Sequence, residues 1–161
     1  MDDKLKNWLQ SHNIEYESFS HPAVFTVEEA SKYYDSIKGL HCKNLFLKDS
    51  KKKLYYLVSL PFDKKIPLNE LRKLIGAKKL TFASKEELKN VLNLDSGSVT
   101  PFGLINRPKD IPVFFVLDNE ILNAEYVCFH PNINTETLSI PIESFKRALE
   151  NFQDISKIYL E

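Results

Sequence analysis

An α+β fold built around a mixed sheet is predicted by the length of the sequence, its apolar content and the order of its apolar patterns. The chain has 161 residues, of which 43% are hydrophobic. That is enough to bury one substantial core and too little for two ordinary domains. Strand-like runs and segments with helical spacing follow one another without the regular alternation of a doubly wound fold. We therefore expect one domain over residues 1–161, with helices packed on a sheet of mixed strand direction.

Helices are predicted where apolar residues recur at helical spacing or where capping residues stand at the right interval. Thr26 and Glu29 are three residues apart, as are Ser84 and Glu87, and this spacing is typical of a capping box at a helix start. Gly76 is the kind of residue that ends a helix. The predicted helices cover residues 1–12, 26–34, 68–75, 84–92 and 142–152.

Strands are predicted from short apolar or alternating runs that are bounded by polar residues. The second and third strands should form a hairpin across a lysine-rich turn at residues 49–53. A polar turn is expected at 118–120, and a further short pairing around Ile121 and Leu122 stays open. Residues 95–103 are expected to be irregular because their Gly, Ser and Pro content breaks regular structure. The predicted strands cover residues 16–19, 41–49, 54–60, 79–83, 112–118, 124–130, 135–140 and 155–160.

The charge of the chain is balanced, since Lys and Arg together number 22 and Asp and Glu together number 22. A balanced charge gives no sign of a protein that wraps nucleic acid through bulk electrostatics. Basic residues nevertheless crowd the first half of the chain. The ordinary interpretation is a solvated surface, and a local basic patch is the second interpretation. The crowded residues are Lys48, Lys51, Lys52, Lys53, Lys64, Lys65, Arg72, Lys73, Lys78 and Lys79.

The expected location of the protein is the cytoplasm. The N-terminal segment MDDKLKNWLQ lacks the apolar centre of a signal peptide, and no apolar run in the sequence approaches the ~20 residues that a membrane span needs. Cys42 and Cys128 are too few for a disulfide framework and suit a reducing compartment. We therefore expect no membrane partner.

Lys43 is the first residue whose position is unusual. On an extended strand it shares a face with Leu45 and Leu47, while Cys42, Asn44 and Phe46 occupy the other face. A lysine among leucines must either extend its ammonium past the end of the strand or meet an anionic partner in a pocket. The pattern alone leaves both interpretations open.

The loop from Gly97 to Gly103 offers several backbone N–H groups in a conformation that two glycines permit. Such a loop can hold a carbonyl or phosphate oxygen, although an ordinary connecting loop is the alternative. It lacks the Gly-Lys-Ser/Thr ending of a P-loop and the spacing of a nucleophile elbow. Neither ATP hydrolysis nor serine-hydrolase chemistry is therefore supported.

Histidine residues offer further candidates. His130 shares a strand face with Tyr126 and Cys128, where it could donate a hydrogen bond or relay a proton, although a histidine at a strand end is more often structural. The other three histidines and the two cysteines show no recognised spacing of metal ligands. We therefore predict no metal and no cofactor.

Four segments of the sequence, taken in order, resemble the YbaK/ProX-type prolyl-tRNA editing family. The segments are HPAVFTVEEA at 21–30, HCKNLFLKD at 41–49, GSVTPFGLIN at 97–106 and FHPNINTETLSI at 129–140. The similarity is greatest to the freestanding alanyl-tRNA(Pro) deacylases. This resemblance implies a mixed sheet curved into a partly barrel-like shape with helices around it.

The resemblance also implies roles for individual residues. Lys43 would engage the terminal adenosine and the ester linkage, and the loop Gly97–Gly103 would hold the aminoacyl group through backbone contacts. The implied catalytic residues are Lys43, Gly97, Ser98 and His130. The implied substrate-binding residues are His21, Phe25, Thr26, Asn44, Val99, Thr100, Pro101, Phe102, Gly103 and Asn132.

The function implied by the family is hydrolysis of a mischarged tRNA(Pro), with alanine as the expected amino acid. The tRNA and prolyl-tRNA synthetase would then be the partners of the protein. Cys-tRNA(Pro) and Ser-tRNA are alternative substrates within the family. A domain that binds tRNA without catalysis is the alternative of another class, which the presence of Lys43 and of an uninterrupted GSVTPFG segment argues against.

Overall fold

A computed structural model of the chain describes residues 1–23 and 27–161, without the side chain of Val27. The described residues form an eight-stranded mixed sheet with helices around it, which confirms the predicted α+β class. The strands are β1 Glu17–Ser20, β2 Leu40–Asp49, β3 Leu54–Pro61, β4 Leu80–Phe82, β5 Val113–Asp118, β6 Tyr126–Phe129, β7 Glu136–Pro141 and β8 Ser156–Leu160. The α-helices are α1 Asp3–Ser11, α2 Val27–Tyr34, α3 Leu68–Ile75, α4 Lys85–Leu92, α5 Asn119–Leu122 and α6 Ile142–Asn151.

The strand order is β1-β7-β6-β2-β3-β5-β8, and β4 adds to β2 beside this path. Strands β2 and β3 form the predicted antiparallel hairpin. Strand β2 is parallel to β6, and β5 is parallel to both β3 and β8. Strands β1 and β8 are the two edges, so the curved sheet that the family implied is open rather than closed into a barrel.

Local capping signals place several helix ends where the sequence predicts them. Ser84 and Glu87 form both bonds of the capping box at the start of α4. Gly76 ends α3 in the left-handed region, with φ of 73°. The predicted cap of α2 falls on Thr26, which lies outside the described residues. None of the helices in the described ranges is long and apolar enough to span a membrane.

Two sequence predictions about irregular segments are wrong. The last third of the stretch predicted to be irregular, residues 101–103, belongs to a 3₁₀ helix, Pro101–Asn106, because Thr100 caps it through its side chain and proline is tolerated in a first turn. The further pairing considered around Ile121 and Leu122 is instead the short helix α5. Its start is fixed by the Asp118 carboxylate, which accepts a hydrogen bond from the N–H of Glu120 at 2.9 Å.

The core consists of two clusters that lie on the two faces of the central strands. The larger cluster contains Phe46, Leu57 and Phe115, and the smaller contains Leu47 and Val58. Because side chains alternate along a strand, consecutive residues of β2 enter different clusters. Leu45 packs with the smaller cluster and Cys42 with the larger. Lys43 therefore lies on the face of Leu45 and Leu47, as predicted.

Strand β2 has one edge that is only partly paired. Strand β3 follows one side of it from Cys42 to Asp49. On the other side, β6 pairs with residues 40–41 and β4 with residues 47–49. In the described ranges, no strand pairs with this side between Cys42 and Phe46. We call residues 42–46 the open edge of β2.

Candidate functional site

Two of the predicted catalytic residues follow the last paired residues of β2 and β6. His41 and Cys128 are the last paired residues of the parallel strands β2 and β6. Lys43 and His130 follow them by two residues each, so both side chains start from the same face and the same level of the sheet. If the register of β2 and β6 is extended by two residues, Lys43 lies level with His130, which follows the end of β6.

The ammonium of Lys43 is half-buried among charged neighbours. Burial lowers its pKa first, and the positive charge of Lys65 lowers it further, while Asp63 acts in the opposite direction. The net effect is a pKa below the ordinary value for lysine. A cation with a reduced pKa at an unpaired strand edge is suited to contact a ligand oxygen.

The hydrogen bonds of His130 fix which ring nitrogen carries the proton. Its Nδ1 lies 2.8 Å from the backbone oxygen of Glu136, which can only accept, so Nδ1 donates. The pKa of His130 is lowered, chiefly by burial and also by the nearby rings of His21 and His41. His130 is therefore neutral near pH 7, with a lone pair on Nε2. The Tyr34 hydroxyl approaches that lone pair at 3.4 Å, which is a weak contact.

His21 supports this arrangement from the neighbouring segment. Its ring centroid lies 6.0 Å from that of His130. Its Nδ1 donates to the backbone oxygen of Pro22 at 2.9 Å, which leaves Nε2 to accept from the Thr137 hydroxyl at 2.7 Å. His21 thus has both nitrogens occupied, and its ring forms a wall rather than a proton carrier.

Tyr34 belongs to this site although the sequence analysis did not single it out. Its ring stacks on His41 at 4.1 Å between centroids, and its hydroxyl is the group nearest to the lone pair of His130 among the contacts described above. Burial and the neighbouring Cys128 raise the pKa of Tyr34, so the phenol keeps its proton. The sequence signal that could have identified Tyr34 is its position in the pair Tyr33-Tyr34, at the end of α2 and after the HPAVFT segment.

The loop Gly97–Gly103 has three backbone N–H groups for which the described residues provide no acceptor. The N–H of Ser98 donates to Asp95 and that of Gly103 to Thr100. The N–H of Phe102 meets the Thr100 hydroxyl oxygen at 3.5 Å. Within the described part of the chain, no hydrogen bond uses the remaining N–H groups, which belong to Gly97, Val99 and Thr100.

The two glycines of the loop serve different purposes. Gly97 has φ of 89°, a left-handed conformation that favours glycine. Gly103 lies in the 3₁₀ helix, where a Cβ would come within 2.6 Å of the Leu94 Cδ1 and 3.2 Å of the Leu92 Cβ. The prediction that both glycines are needed for conformation therefore applies to Gly97, whereas Gly103 is needed for close packing.

Phe102 anchors the loop beside the end of β6. Its ring is fully buried and meets the ring of Phe129 edge-on, at 6.3 Å between centroids. Phe129 is the last residue of β6 and immediately precedes His130. The loop therefore lies on the side of the larger cluster, whereas Lys43 lies on the opposite face of β2.

Two asparagines of the predicted site have different environments. Asn44 accepts a hydrogen bond from the Ser59 hydroxyl on the neighbouring strand. Asn132 follows His130 by two residues with φ of 66°, and its amide nitrogen and oxygen are both buried. Neither of these two atoms has a hydrogen-bond partner in the part of the chain that the structure describes. A buried amide without partners costs free energy, which a bound ligand can recover.

Not every predicted residue can be placed. Phe25 and Thr26 lie outside the described residues. Ser98 and Pro101 are buried, and the backbone N–H of Ser98 already donates a hydrogen bond within the chain.

Burial raises the pKa of Cys128 to about 12, so this thiol, which shares a face with His130, is not a thiolate near pH 7. The described residues contain no group of three or more His, Cys, Asp or Glu side chains that could hold a metal ion.

Comparison with known proteins assigns the chain to a protein family. Residues 21–148 match the aminoacyl-tRNA editing domain. The chain belongs to this editing family. Prolyl-tRNA editing protein ProX from Acetoanaerobium sticklandii is 35% identical over 142 residues, which cover 88% of this chain and 86% of that protein. Prolyl-tRNA synthetase associated domain-containing protein 1 from Bos taurus is 39% identical over 151 residues, which cover 91% of this chain and 87% of the relative.

Solved structures show the same fold at much lower identity. A candidate trans-editing enzyme for prolyl tRNA synthetase superposes with a TM-score of 0.71 and 17% identity, covering 100% of this chain and 98% of the other. The hypothetical protein APE2540 gives a TM-score of 0.72 with 19% identity, covering 98% of each chain. The family resemblance predicted from four sequence segments is thus confirmed, and so is the editing-domain fold.

Proposed function

We propose that this chain is a trans-editing deacylase that hydrolyses mischarged tRNA(Pro), with alanyl-tRNA(Pro) as its main substrate. Membership of the editing family supports the reaction class. The observation that carries the proposal is hydrogen-bonding capacity that the described part of the chain leaves unused or, at His130, only weakly used. It consists of three loop N–H groups, a buried asparagine amide and the lone pair of His130.

The reaction requires water to attack the carbonyl carbon of an ester. The water oxygen forms a bond to that carbon, and the bond between the carbon and the ribose oxygen breaks. The proton lost by water ends on the ribose oxygen, which leaves a free amino acid and a tRNA with a free hydroxyl. An oxyanion develops on the carbonyl oxygen during the attack and must be stabilised.

The N–H groups of Gly97, Val99 and Thr100 are suited to receive this oxyanion. They are backbone donors, and the loop is held by its own hydrogen bonds and by the buried ring of Phe102. Preorganised donors of this kind need little rearrangement when charge develops. We propose that Lys43 adds a positive charge from the opposite face of β2, as a clamp on carbonyl or phosphate oxygen.

His130 would act as a hydrogen-bond acceptor rather than as a cation. Its neutral Nε2 can accept a proton or a hydrogen bond from the attacking water or from the free ribose hydroxyl. In this scheme the ribose hydroxyl of the terminal adenosine helps to orient the water. The substrate thus contributes part of the catalytic machinery, and no nucleophilic side chain is needed.

Selection of the amino acid would be steric. A hydrophobic pocket gains only about 1–3 kcal/mol from one methylene group, which is too little to separate similar amino acids by attraction. A small cavity that admits alanine and excludes the pyrrolidine ring of proline is sufficient. Prolyl-tRNA synthetase is then the partner whose errors supply the substrate.

The decisive experiment compares deacylation of Ala-tRNA(Pro), Cys-tRNA(Pro), Ser-tRNA and Pro-tRNA(Pro) by the same enzyme preparation. We expect the alanyl ester to be hydrolysed fastest and the prolyl ester to be left intact. Ala-tRNA(Ala) in the same panel tests whether the tRNA contributes to recognition.

Other results would change the proposal in defined ways. Faster hydrolysis of a cysteinyl or seryl ester would keep the reaction and replace the amino acid. Binding of tRNA(Pro) without turnover of any ester would identify a binding domain and end the proposed deacylase function.

A further inference from the structure

An exposed aromatic ring stands next to the open edge of β2. Phe82 is the last residue of β4, and 61% of its surface is accessible to solvent. Strand β4 pairs Phe82 with Leu47, so Phe82 lies on the face of β2 that also carries Lys43. The N–H of Ala83 bonds the backbone oxygen of Phe46, which fixes β4 at the end of the open edge. The ring thus extends into solvent from a rigid position.

Exposed lysines surround the start of the same strand because one buried carboxylate organises two loops. Asp49 accepts backbone hydrogen bonds from Lys51 and Lys52 in one loop and from Lys78 and Lys79 in the other, at 2.7 to 3.4 Å. Burial alone would raise the pKa of Asp49, but these four donors outweigh burial and lower it. In the described ranges none of the four lysines forms an ion pair, so their charges remain available.

The three features lie in order along β2. The lysine loops adjoin the Asp49 end, Phe82 is level with Leu47, and the open edge with Lys43 follows. At a rise of about 3.3 Å per strand residue, Lys43 is about 13 Å from Leu47. A positively charged surface that leads to an exposed ring is the arrangement by which proteins bind single-stranded nucleic acid.

We infer that Phe82 is a stacking platform for an unpaired nucleobase of the tRNA 3′ end, on the 5′ side of the terminal adenosine. This inference rests on the proposed function, because it takes the ester to lie at Lys43. The phosphates of the paired stem contact the lysine loops. The single strand then runs along β2 towards the open edge, and one base stacks on the ring of Phe82.

Stacking gives a clear expectation for kinetics. Loss of an aromatic platform weakens nucleic-acid binding by about 5- to 150-fold per stacked base. The ring is remote from the ester, so it should contribute equally to the ground state and the transition state. Phe82→Ala should therefore raise KM for the mischarged tRNA by a factor in that range and leave kcat unchanged. Phe82→Trp should retain the wild-type KM, whereas Phe82→Leu should behave like Phe82→Ala.

Two exposed apolar residues serve as matched controls. Leu74 on α3 is 56% exposed, and Tyr159 on the edge strand β8 is 47% exposed. Leu74→Ala and Tyr159→Ala should leave both kcat and KM unchanged. Thermal unfolding of all variants should match that of the wild type, because none of the three side chains is buried.

A binding measurement separates this inference from the deacylase function. The ligand is an RNA minihelix without an attached amino acid. In separate preparations, each of its unpaired 3′ positions carries the fluorescent base 2-aminopurine, whose fluorescence is quenched when it stacks on an aromatic side chain. We expect the wild type to quench one position before the terminal adenosine and Phe82→Ala to lose that quenching. Equal quenching by both proteins at every position would overturn the inference even if the enzyme is active. If the wild type hydrolyses none of the aminoacyl-tRNA esters, the proposed deacylase function is rejected instead.

Discussion

Two polar clusters flank β2, and they differ in how fully their hydrogen bonds are used. In the first, which we call the Glu87 cluster, the Glu87 carboxylate receives hydrogen bonds from Lys48 at 2.9 Å, from the Tyr55 hydroxyl at 2.7 Å and from the N–H of Ser84 at 3.0 Å. In the second, at the open edge, His130 has a weak partner for Nε2 and Asn132 has none for its amide in the described ranges.

The comparison shows that a large pKa shift does not by itself mark a functional site. Burial would raise the pKa of Glu87, but hydrogen bonds from Ser84, Lys48 and Tyr55 lower it to about 2, while burial and Glu87 raise the pKa of Tyr55 to about 12. These are among the largest shifts in the described chain, yet every partner in the Glu87 cluster is satisfied within the protein. Groups that lack partners, rather than groups with shifted pKa values, indicate where a ligand binds.

The sharpest test of this difference is removal of the Lys43 ammonium. Lys43→Ala should lower kcat/KM for Ala-tRNA(Pro) by about 100- to 1000-fold, as expected when one group that stabilises developing charge is lost. The half-buried Lys157 on β8 provides a matched control, and Lys157→Ala should retain wild-type activity. Circular dichroism and thermal unfolding check that both variants fold. Wild-type deacylation by Lys43→Ala would remove Lys43 from the mechanism.

The protonation state of His130 gives the next largest effect. Its pKa lies below the ordinary value of 6.5, so the imidazole is neutral at pH 7 and gains a proton only in more acidic solution. kcat/KM should therefore stay constant from pH 8 to 6.5 and fall at lower pH. His130→Ala should lower kcat/KM by about 100-fold and abolish that acid limb. An unchanged pH profile in the variant would assign the limb to another group.

A pair of glycine substitutions compares the loop with a helix end. Gly97 and Gly76 both have positive φ, 89° and 73°, so alanine at either position costs about 1 kcal/mol of unfolding free energy. Gly97→Ala should also lower kcat by about tenfold, because it displaces the loop N–H groups. Gly76→Ala should not affect kcat, since a Cβ there would meet no atom within 4 Å. Equal kcat values in both variants would separate the loop from catalysis.

The Glu87 cluster should respond to acid through stability rather than activity. The pKa of Glu87 in the folded protein is about 2, below its ordinary value of 4.5. Its contribution is therefore complete above pH 4.5 and is lost as the pH falls towards 2. Because Glu87 is partly exposed, we expect about 1–2 kcal/mol. Urea unfolding at pH 7 and pH 3 should show this loss in the wild type and a smaller one in Glu87→Gln, whose deacylation at pH 7 stays normal.

Local signals made much of the fold predictable from the sequence. The capping box of Ser84 and Glu87 and the terminator Gly76 act within one helical turn, so their geometry does not depend on distant residues. The alternating faces of β2 followed from strand geometry alone. The 3₁₀ helix was missed although Thr100 and Pro101 signal its start, because the Gly, Ser and Pro content of the segment suggested an irregular loop. Gly103 instead serves close packing within the helix.

The residues of the candidate site are proposed from the sequence, whereas their arrangement could not be predicted from it. Four sequence segments identified Lys43, His130 and the glycine loop. The open edge itself depends on β6 and β4 pairing with different parts of β2, and such long-range pairing leaves no local pattern in the sequence. The contact of Tyr34 with His130 joins residues 96 positions apart for the same reason. The substrate and the cytoplasmic location stay predictions.

The open edge of β2 also bears on how the protein avoids self-association. An exposed strand edge invites another chain to add a strand, which is a common route to aggregates. Here the unpaired stretch is five residues long, β6 and β4 pair with the residues at its two ends, and it carries a charged side chain in Lys43. So short an unpaired stretch leaves little backbone for an intruding strand. We therefore expect the boundaries set by β6 and β4 to disfavour edge-to-edge association of the protein.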